Sequence, residues 1–586
     1  MNTGDLPVVE CDVLVIGAGA GGLSTAVTAK KHGLDVVVVE KEPVFGGTTA
    51  FSGGVLWIPL SPHAKQAGYA DSREAVLRYM KAEAGAGYHG PSVEAFIDKG
   101  PEMVVFFERE TEVKFIPTLY PDYHPDADGG VDIGRSILAA PYDIRGLGAD
   151  MARLRPPLAT ITFMGMMFNS ANADLKHFFR FTRSFASFRY VVRRLFNHLR
   201  ELVRFGRGVN VTSGNALAAR LARSALDLKI PIHTSTAAQQ LLTEQGHVIG
   251  ALVSGPEGPR RILARKGVVL AGGGFSQDVQ RIARAYPHVR SGGEHFSPVP
   301  ASNTGDGARL AEQVGGRVDI RYSAPAAWMP TSKVPMGQGR YGAFPHLLDR
   351  YKPGVIGVLR DGRRFTNESN SYHDVGAAMI RAGLGKDTGM WLVCDQATIS
   401  KYGLGYAKPA PMPLGPLVRK GYLVKGRTLE ELARKAGIDA AGLAQTVREY
   451  NQGAVHGEDR QFGRGSTSFN RYLGDPDHRP NPNVAPIGKG PYYALRLVMG
   501  DLGTFDGITT DVVGRVLDRD DRPIAGLYAV GNDRASVMGG NYPGAGITLG
   551  PIMTFGYITG RHLAGLEREL EAASADQHSP ADAVAA

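Results

Sequence analysis

The sequence predicts an α/β protein in which a parallel-sheet domain is split by an inserted α+β domain. Three observations carry that reading. From residue 11 to 40 the chain runs through an apolar stretch, a glycine-rich turn, a helical pattern, a second apolar stretch and an acid. Two later apolar stretches, 267–271 and 527–530, also end on glycine. Between them, from 298 to 483, short strands, prolines and aromatics mix with helices.

The first stretch, 13–16, is apolar and β-branched, as a strand buried on both faces requires. It enters Gly17-Ala18-Gly19-Ala20-Gly21-Gly22, a GxGxxG. Gly17 permits the tight turn, Gly19 lets backbone approach a pyrophosphate, and Gly22 lets the helix pack on the strand. The helical pattern over 23–32 follows, and its N-terminus, at Ala20 and Gly21, offers N–H groups and a positive dipole end to phosphate. The second strand, 36–39, ends on Glu40, placed to accept from a ribose hydroxyl, with Lys41 beside it. This is a dinucleotide-binding βαβ unit in its full context. Gly47-Thr48-Thr49 adds donors for a second phosphate contact, and Ser52-Gly53-Gly54 lets backbone come near a flat ring. A second glycine cluster so soon after the ribose acid suits FAD better than NAD, so the domain is read as Rossmann-like and FAD-binding.

Further along, 91–112 reads as a helix broken at Gly100-Pro101. The loop Tyr120-Pro121-Asp122-Tyr123-His124-Pro125 is aromatic and fixed by prolines, which suits a site residue as well as a surface turn. After strand 267–271, Ala271-Gly272-Gly273 closes the nucleotide domain around the cofactor. Within the inserted segment, 358–365 reads as a hairpin with an Asp-Gly turn, and 480–486 as the return linker. Strand 527–530 then ends on Gly531-Asn532. The loop 539–546 is rich in free backbone groups, and a helix leaves it through Ile547, Thr548 and Leu549 with its N-terminus toward the flavin. The predicted domains are 1–297, FAD-binding; 298–483, inserted substrate domain; 484–572, return of the FAD-binding domain; and 573–586, a disordered tail.

At 586 residues more than one domain is expected. The two cysteines, Cys11 and Cys394, found neither a disulfide framework nor a metal site and point to a reducing compartment. No secretory signal and no membrane span are read, so the expected location is cytoplasmic. The net charge of +9 matters by where it lies. Over 174–208, Phe181, Phe185, Phe188, Val192, Leu195, Leu199 and Val203 recur at helical steps. Arg183, Arg194 and Arg204 take the opposite side, with Arg180, Arg189, Arg193, Arg200 and Arg207 around them. This is the pattern of a basic amphipathic helix lying on an anionic membrane surface at the inner face of the cell membrane, although a packed helix with a solvated basic face shares it. No nucleic-acid motif accompanies the patch, so no nucleic-acid partner is expected.

GAGAGG with Glu40, GGTTAFSGG, LAGGGF, NTGDG, RRFTNES and LYAVGN with NYPGAGITLGPIMTFGY together resemble the fumarate reductase/succinate dehydrogenase flavoprotein superfamily. Within it the chain looks most like 3-ketosteroid Δ1-dehydrogenases, and the basic helix points to the cholest-4-en-3-one type. The resemblance implies that FAD takes a hydride from carbon 1 of a 3-ketosteroid while a base takes a proton from carbon 2. It also implies an electron acceptor for the reduced flavin, a quinone or an artificial dye. Tyr542 and the Gly546 N–H would bind the 3-keto oxygen, Tyr341 matches the base, with Tyr351 as second choice, and Tyr123 matches the assisting tyrosine. A fumarate reductase would want a His where the chain reads Gly500-Asp501-Leu502-Gly503 and an Arg where it reads Asn541-Tyr542-Pro543. Δ4-dehydrogenation and a flavin-binding scaffold without turnover remain as alternatives.

Overall fold

The computed structural model describes residues 6–168, 177–178, 184–383 and 387–571. The opening unit is β1 (Val8–Ile16), α1 (Ala20–Lys31) and β2 (Val36–Val39). β1 and β2 pair in parallel from Val13↔Val36 to Ile16↔Val39. All four valines of β2 are buried, as a strand covered on both faces demands. Two helices follow, α2 (Arg73–Ala84) and α3 (Gly90–Glu110). The break expected at Gly100-Pro101 does not occur: α3 continues with Pro101 inside it. Val93, Phe96, Ile97, Met103, Val104 and Phe107 form one buried face across the proline, and that burial outweighs a single missing N–H.

α4 (Phe185–Phe205) is the described part of the basic segment. Asp174, Arg180, Phe181 and Arg183 lie outside the described residues. α4 turns Ser187, Val191 and His198 inward. His198 Nε2 meets the Met164 carbonyl at 2.9 Å, and Arg194, read as part of the solvated side, donates inward to the Met167 carbonyl at 3.3 Å. The apolar stripe faces out: Phe185 is 80% exposed and Val203 90%, with Phe188, Val192, Phe196 and Leu199 between them. No described helix is long and apolar enough to cross a membrane.

β3 (Ile232–His233) extends the sheet beyond β2, and β4 (Gly258–Leu270) lies parallel to β1 on its other side. A second sheet is then built from β5 (Ala326–Gly337), β6 (Arg340–Pro345), β7 (Val355–Val358), β8 (Met390–Asp395) and β9 (Tyr492–Thr504). Its order is β6-β5-β9-β8-β7, antiparallel throughout. α5 (Tyr372–Ala382) packs on β5, where a Cβ on Gly376 would lie 2.6 Å from Trp328. The expected hairpin at 358–365 is absent. β7 pairs with β8 instead, and Arg364 is drawn into a buried ion network with Glu368 and Asp459 at 2.7 Å each. The chain also crosses back later than the prolines at 480–486 imply, because β9 is the central strand of the antiparallel sheet. β10 (Pro523–Ala529) finally joins β4 in parallel, and α6 (Leu549–Leu563) closes the chain's core. The spatial order β10-β4-β1-β2-β3 puts a change of winding direction at β1 and β4, so a crevice opens beyond their C-terminal ends.

Candidate active site

The crevice is built from backbone. Gly17 has φ +117°, and a Cβ there would lie 2.2 Å from the Ala271 carbonyl oxygen, so the turns after β1 and β4 touch. Around this contact the cavity is lined by Gly17, Gly19, Ala20, Gly21, Glu40, Lys41, Gly47, Thr48, Thr49, Ala271, Gly272, Gly273, Gly531 and Asn532. Glu40 is buried, and burial raises its pKa although it accepts from Ala18 N–H at 2.9 Å and Glu42 N–H at 3.0 Å. Lys41 donates to Thr304 at 2.9 Å and pairs with Asp306. The Ala20 N–H donates to Thr49 at 3.1 Å, tying the first glycine turn to the second. Asp533 accepts from the N–H groups of Gly272 and Gly274 at 2.5 and 2.9 Å and so shapes the turn after β4.

These residues fit FAD. A Cβ on Gly19 would meet nothing nearer than Thr49 Oγ1 at 3.9 Å, so that face of the turn is open to a pyrophosphate. Arg155 lines the same cavity, and its buried Nε makes no hydrogen bond among the described residues. Ile547 and Thr548 line a small cavity that shares Gly531, Asn532 and Ile552 with the crevice.

Beside this crevice three tyrosines from distant segments meet. Tyr123 and Tyr542 stack with ring centroids 5.5 Å apart and planes 11° from parallel. Tyr372, the first residue of α5, sets its edge against both, at 5.7 Å from Tyr123 and 4.9 Å from Tyr542. The Tyr123 hydroxyl donates to that of Tyr372 at 3.1 Å. Burial pushes Tyr542 up to about 12, partly offset by hydrogen bonds to Tyr372 and Thr548, and raises Tyr123 and Tyr372 well above the usual phenol value. Gly546 follows Tyr542 at the mouth of α6 with φ +97°. A Cβ there would sit 2.5 Å from the Val55 carbonyl, so only glycine fits. Its N–H makes no hydrogen bond among the described residues, whereas its carbonyl accepts from Trp57 at 3.0 Å. Phe469 and Phe505 line the cluster. His373, near Tyr542, is pushed down to about 4 by burial and is neutral.

An FAD binding domain model matches residues 12–549. The chain belongs to the FAD-binding domain family. FAD is its cofactor. The chain is 44% identical over 561 residues to 4-oxocyclohex-2-ene-1-carboxylate 5-dehydrogenase of Sinomonas cyclohexanicum, covering 95% of this chain and 94% of that one. It is 37% identical over 574 residues to 3-oxosteroid 1-dehydrogenase of Mycobacterium tuberculosis, covering 95% and 99%. The crystal structure of 3-ketosteroid delta1-dehydrogenase from Sterolibacterium denitrificans, in complex with 1,4-androstadiene-3,17-dione, superposes with a TM-score of 0.86 at 35% identity and covers 95% of this chain and 99% of that one. The chain is therefore an FAD-dependent CH–CH dehydrogenase.

The structure sorts the residues expected from sequence. Gly22 does not face the cavity; its Cβ position lies 1.9 Å from the Gly17 carbonyl, so it serves helix packing. Ser52 donates to the Thr49 carbonyl at 2.8 Å, and a Cβ on Gly54 would run into Ser213 at 2.2 Å, so 52–54 packs against the segment beginning at Ser213; Gly53 belongs to the same turn. Leu549 is buried at the start of α6. Tyr341 does not join the tyrosine cluster. It lies on β6, the edge strand of the antiparallel sheet, and is 57% exposed. Tyr351 is fully buried nearby, edge-on to Phe469, but its hydroxyl donates to the Asn370 carbonyl at 3.1 Å. Tyr372 takes the place expected of them. Its signal was present: Ser371-Tyr372-His373-Asp374 is a helix start, in which Ser371 accepts from Asp374 N–H at 3.1 Å. Arg155 and Asp533 were also missed, because neither sits in a glycine motif that names its partner in space.

Proposed function

We propose that the chain desaturates a ring ketone, and that the ketone is a 3-ketosteroid oxidised between carbons 1 and 2. The observation that carries this is the convergence of Tyr542, Tyr372, Tyr123 and the free Gly546 N–H beside the FAD crevice. Tyr542 and Gly546 donate to the ketone oxygen and stabilise the negative charge that grows there as the neighbouring C–H ionises. Tyr372 takes the proton from carbon 2, and Tyr123, hydrogen-bonded to it, holds its hydroxyl in place and shares the charge. FAD bound in the crevice supplies the acceptor for the hydride that leaves carbon 1. The two electrons of the broken C–H bond at carbon 2 form the new C=C bond. Phe469 and Phe505 offer apolar walls, and the neutral His373 offers no charge to a carboxylate, which favours an uncharged steroid.

The 44% identity to a 4-oxocyclohexenecarboxylate dehydrogenase favours a second reading, a small cyclohexanone carboxylate oxidised by the same chemistry. The test is product identification with androst-4-ene-3,17-dione and with 4-oxocyclohexanecarboxylate, each with an artificial electron acceptor. A steroid 1,4-diene as the faster product upholds the first reading. Turnover of the carboxylate alone replaces it with the second, and a product unsaturated at another ring position replaces the regiochemistry.

The outward stripe of α4 fits the same reading. Phe185, Phe188, Val192, Phe196, Leu199 and Val203 are exposed between Arg189, Arg193, Arg200 and Arg204, which are exposed as well. Apolar side chains flanked by arginines match an anionic lipid surface, from which a sterol could be drawn. Phe185→Asp with Phe188→Asp is expected to release the enzyme from anionic vesicles while turnover of a short-chain steroid stays within about twofold. Undiminished vesicle binding would overturn the membrane assignment.

A further inference from the structure

Each of the three tyrosine-bearing segments carries, within two residues of its tyrosine, one member of a single polar cluster. His124 follows Tyr123. Its Nδ1 meets both oxygens of Glu83, on α2, at 2.9 Å, and its Nε2 meets Asp374 Oδ2 at 2.9 Å. Asp374 stands two residues after Tyr372 and is also bonded by the Ser371 hydroxyl at 2.7 Å. Glu83 accepts from Asn541 Nδ2 at 3.0 Å, and Asn541 Oδ1 in turn accepts from the Tyr542 N–H at 2.9 Å. The backbone repeats the link: Tyr123 N–H donates to the Pro543 carbonyl at 2.8 Å.

Both ring nitrogens of His124 face carboxylates, which only accept, so the ring carries both protons. Burial alone would lower the His124 pKa, but the hydrogen bonds to Asp374 and Glu83 outweigh it and raise it to about 10. The charged groups facing the imidazole are Glu83 from α2 and Asp374 from α5; Ser371 and the Tyr79 hydroxyl nearby are neutral. The remaining groups facing Tyr372 are Tyr123 and Tyr542.

We propose that His124 is a positioning residue: as an imidazolium clamped between Glu83 and Asp374, it sets the mutual geometry of Tyr123, Tyr372 and Tyr542 and offsets one of the two negative charges that would oppose ionisation of Tyr372. The role rests on the ring-ketone reading above. Neither carboxylate touches the cluster's hydroxyls, so the clamp acts through the three backbone segments and through the field at Tyr372.

The test uses the flavin-loaded full chain, with kcat, KM and the pH profile of kcat/KM measured on whichever of the two ketones the wild type oxidises. His124→Gln keeps hydrogen-bonding groups but removes the charge. It is expected to retain flavin and KM while kcat falls about 10- to 100-fold, the size of effect expected from displaced catalytic groups. The limb of kcat/KM that rises with pH is expected to move about one unit upward, because two uncompensated carboxylates disfavour a tyrosinate. His124→Gln with Asp374→Asn should bring the limb back by at least half that shift without restoring kcat. Glu83→Gln, which leaves the His124–Asp374 pair intact, should move the limb the opposite way and covers the case in which His124→Gln fails to fold. Limbs that stay put in the variants that fold would reduce His124 to a structural residue and overturn the proposal. A wild type that oxidises neither ketone would overturn the ring-ketone reading and this role with it.

Discussion

The FAD crevice and the tyrosine cluster adjoin each other but are made in different ways. The crevice is made by backbone: Gly17, Gly19, Gly21 and the turn after β4 define it by having no side chains, and its first half comes from one run of chain between Val13 and Thr49. The cluster is made by side chains from Tyr123, Tyr372 and Tyr542, whose segments are separated by 249 residues between the first two alone. The crevice is held by steric necessity. The cluster is held by polar ties, among them the buried bonds from Trp57 Nε1 and Arg135 to Asp122 at 2.8 Å each and the half-buried His124 clamp. Breaking the first should remove the cofactor. Breaking the second should leave the cofactor in place and remove the chemistry.

The largest effect follows from the crevice. In Gly17→Ala the new methyl would lie 2.2 Å from the Ala271 carbonyl, at a φ that L side chains rarely adopt. The protein is expected to purify colourless, with the 450 nm flavin band absent and no turnover. A yellow Gly17→Ala protein would show that the two turns can separate and that the crevice is softer than its packing implies.

The next effect belongs to the cluster. Tyr542→Phe removes the proposed donor to the ketone oxygen and should cost kcat about 10²- to 10³-fold, the usual loss for one oxyanion-hole donor. Tyr372→Phe removes the proposed base and should cost at least as much. In both variants the flavin spectrum is expected to be that of the wild type. Full activity in either would detach the cluster from the reaction.

A smaller effect appears with pH. Burial pushes Tyr542 to about 12 and holds Tyr372 above the usual phenol value, so the deprotonated base is a minor species at neutral pH. kcat/KM is therefore expected to climb through the alkaline range, approaching tenfold per unit, with no plateau below pH 10. His124 supplies the opposite trend in stability. Its pKa is held up to about 10 by its two carboxylates, above the ordinary histidine value of about 6.5, so its contribution is fully present below about pH 6.5 and is lost as pH rises toward 10. The Tm difference between wild type and His124→Gln should be widest in acid and vanish near pH 10. A constant difference would mean that the ring is not charged in the fold.

The same contrast explains what was legible in the sequence. The βαβ unit, FAD and most crevice residues could be read because each glycine answers a local steric demand with a fixed spacing. Tyr123 and Tyr542 could be singled out because loops rich in proline and glycine mark where a side chain is held. The residue opposite them could not. Tyr341 and Tyr372 both stand near turn signals, and what separates them is the pairing of β6 at a sheet edge against the docking of α5 on β5 at Trp328, neither of which is a local property. The return point was misplaced for the same reason: β9 reads as a strand in either domain, and only its partners β5 and β8 assign it to the second sheet.

The smallest effects separate the two tyrosines first considered for the base. Tyr351 is fully buried, and its hydroxyl gives one hydrogen bond to the Asn370 carbonyl, in the turn that leads into Tyr372. Tyr351→Phe should lower stability by about 1 kcal/mol for that bond, read as a Tm shift, and lower kcat only as far as the turn relaxes. Tyr341 is more than half exposed on an edge strand, so Tyr341→Phe should leave Tm, flavin content and kcat/KM unchanged within error. If Tyr341→Phe instead falls by the factor expected for Tyr372→Phe, β6 must move onto the cluster during turnover. The edge of the second sheet would then be part of the active site.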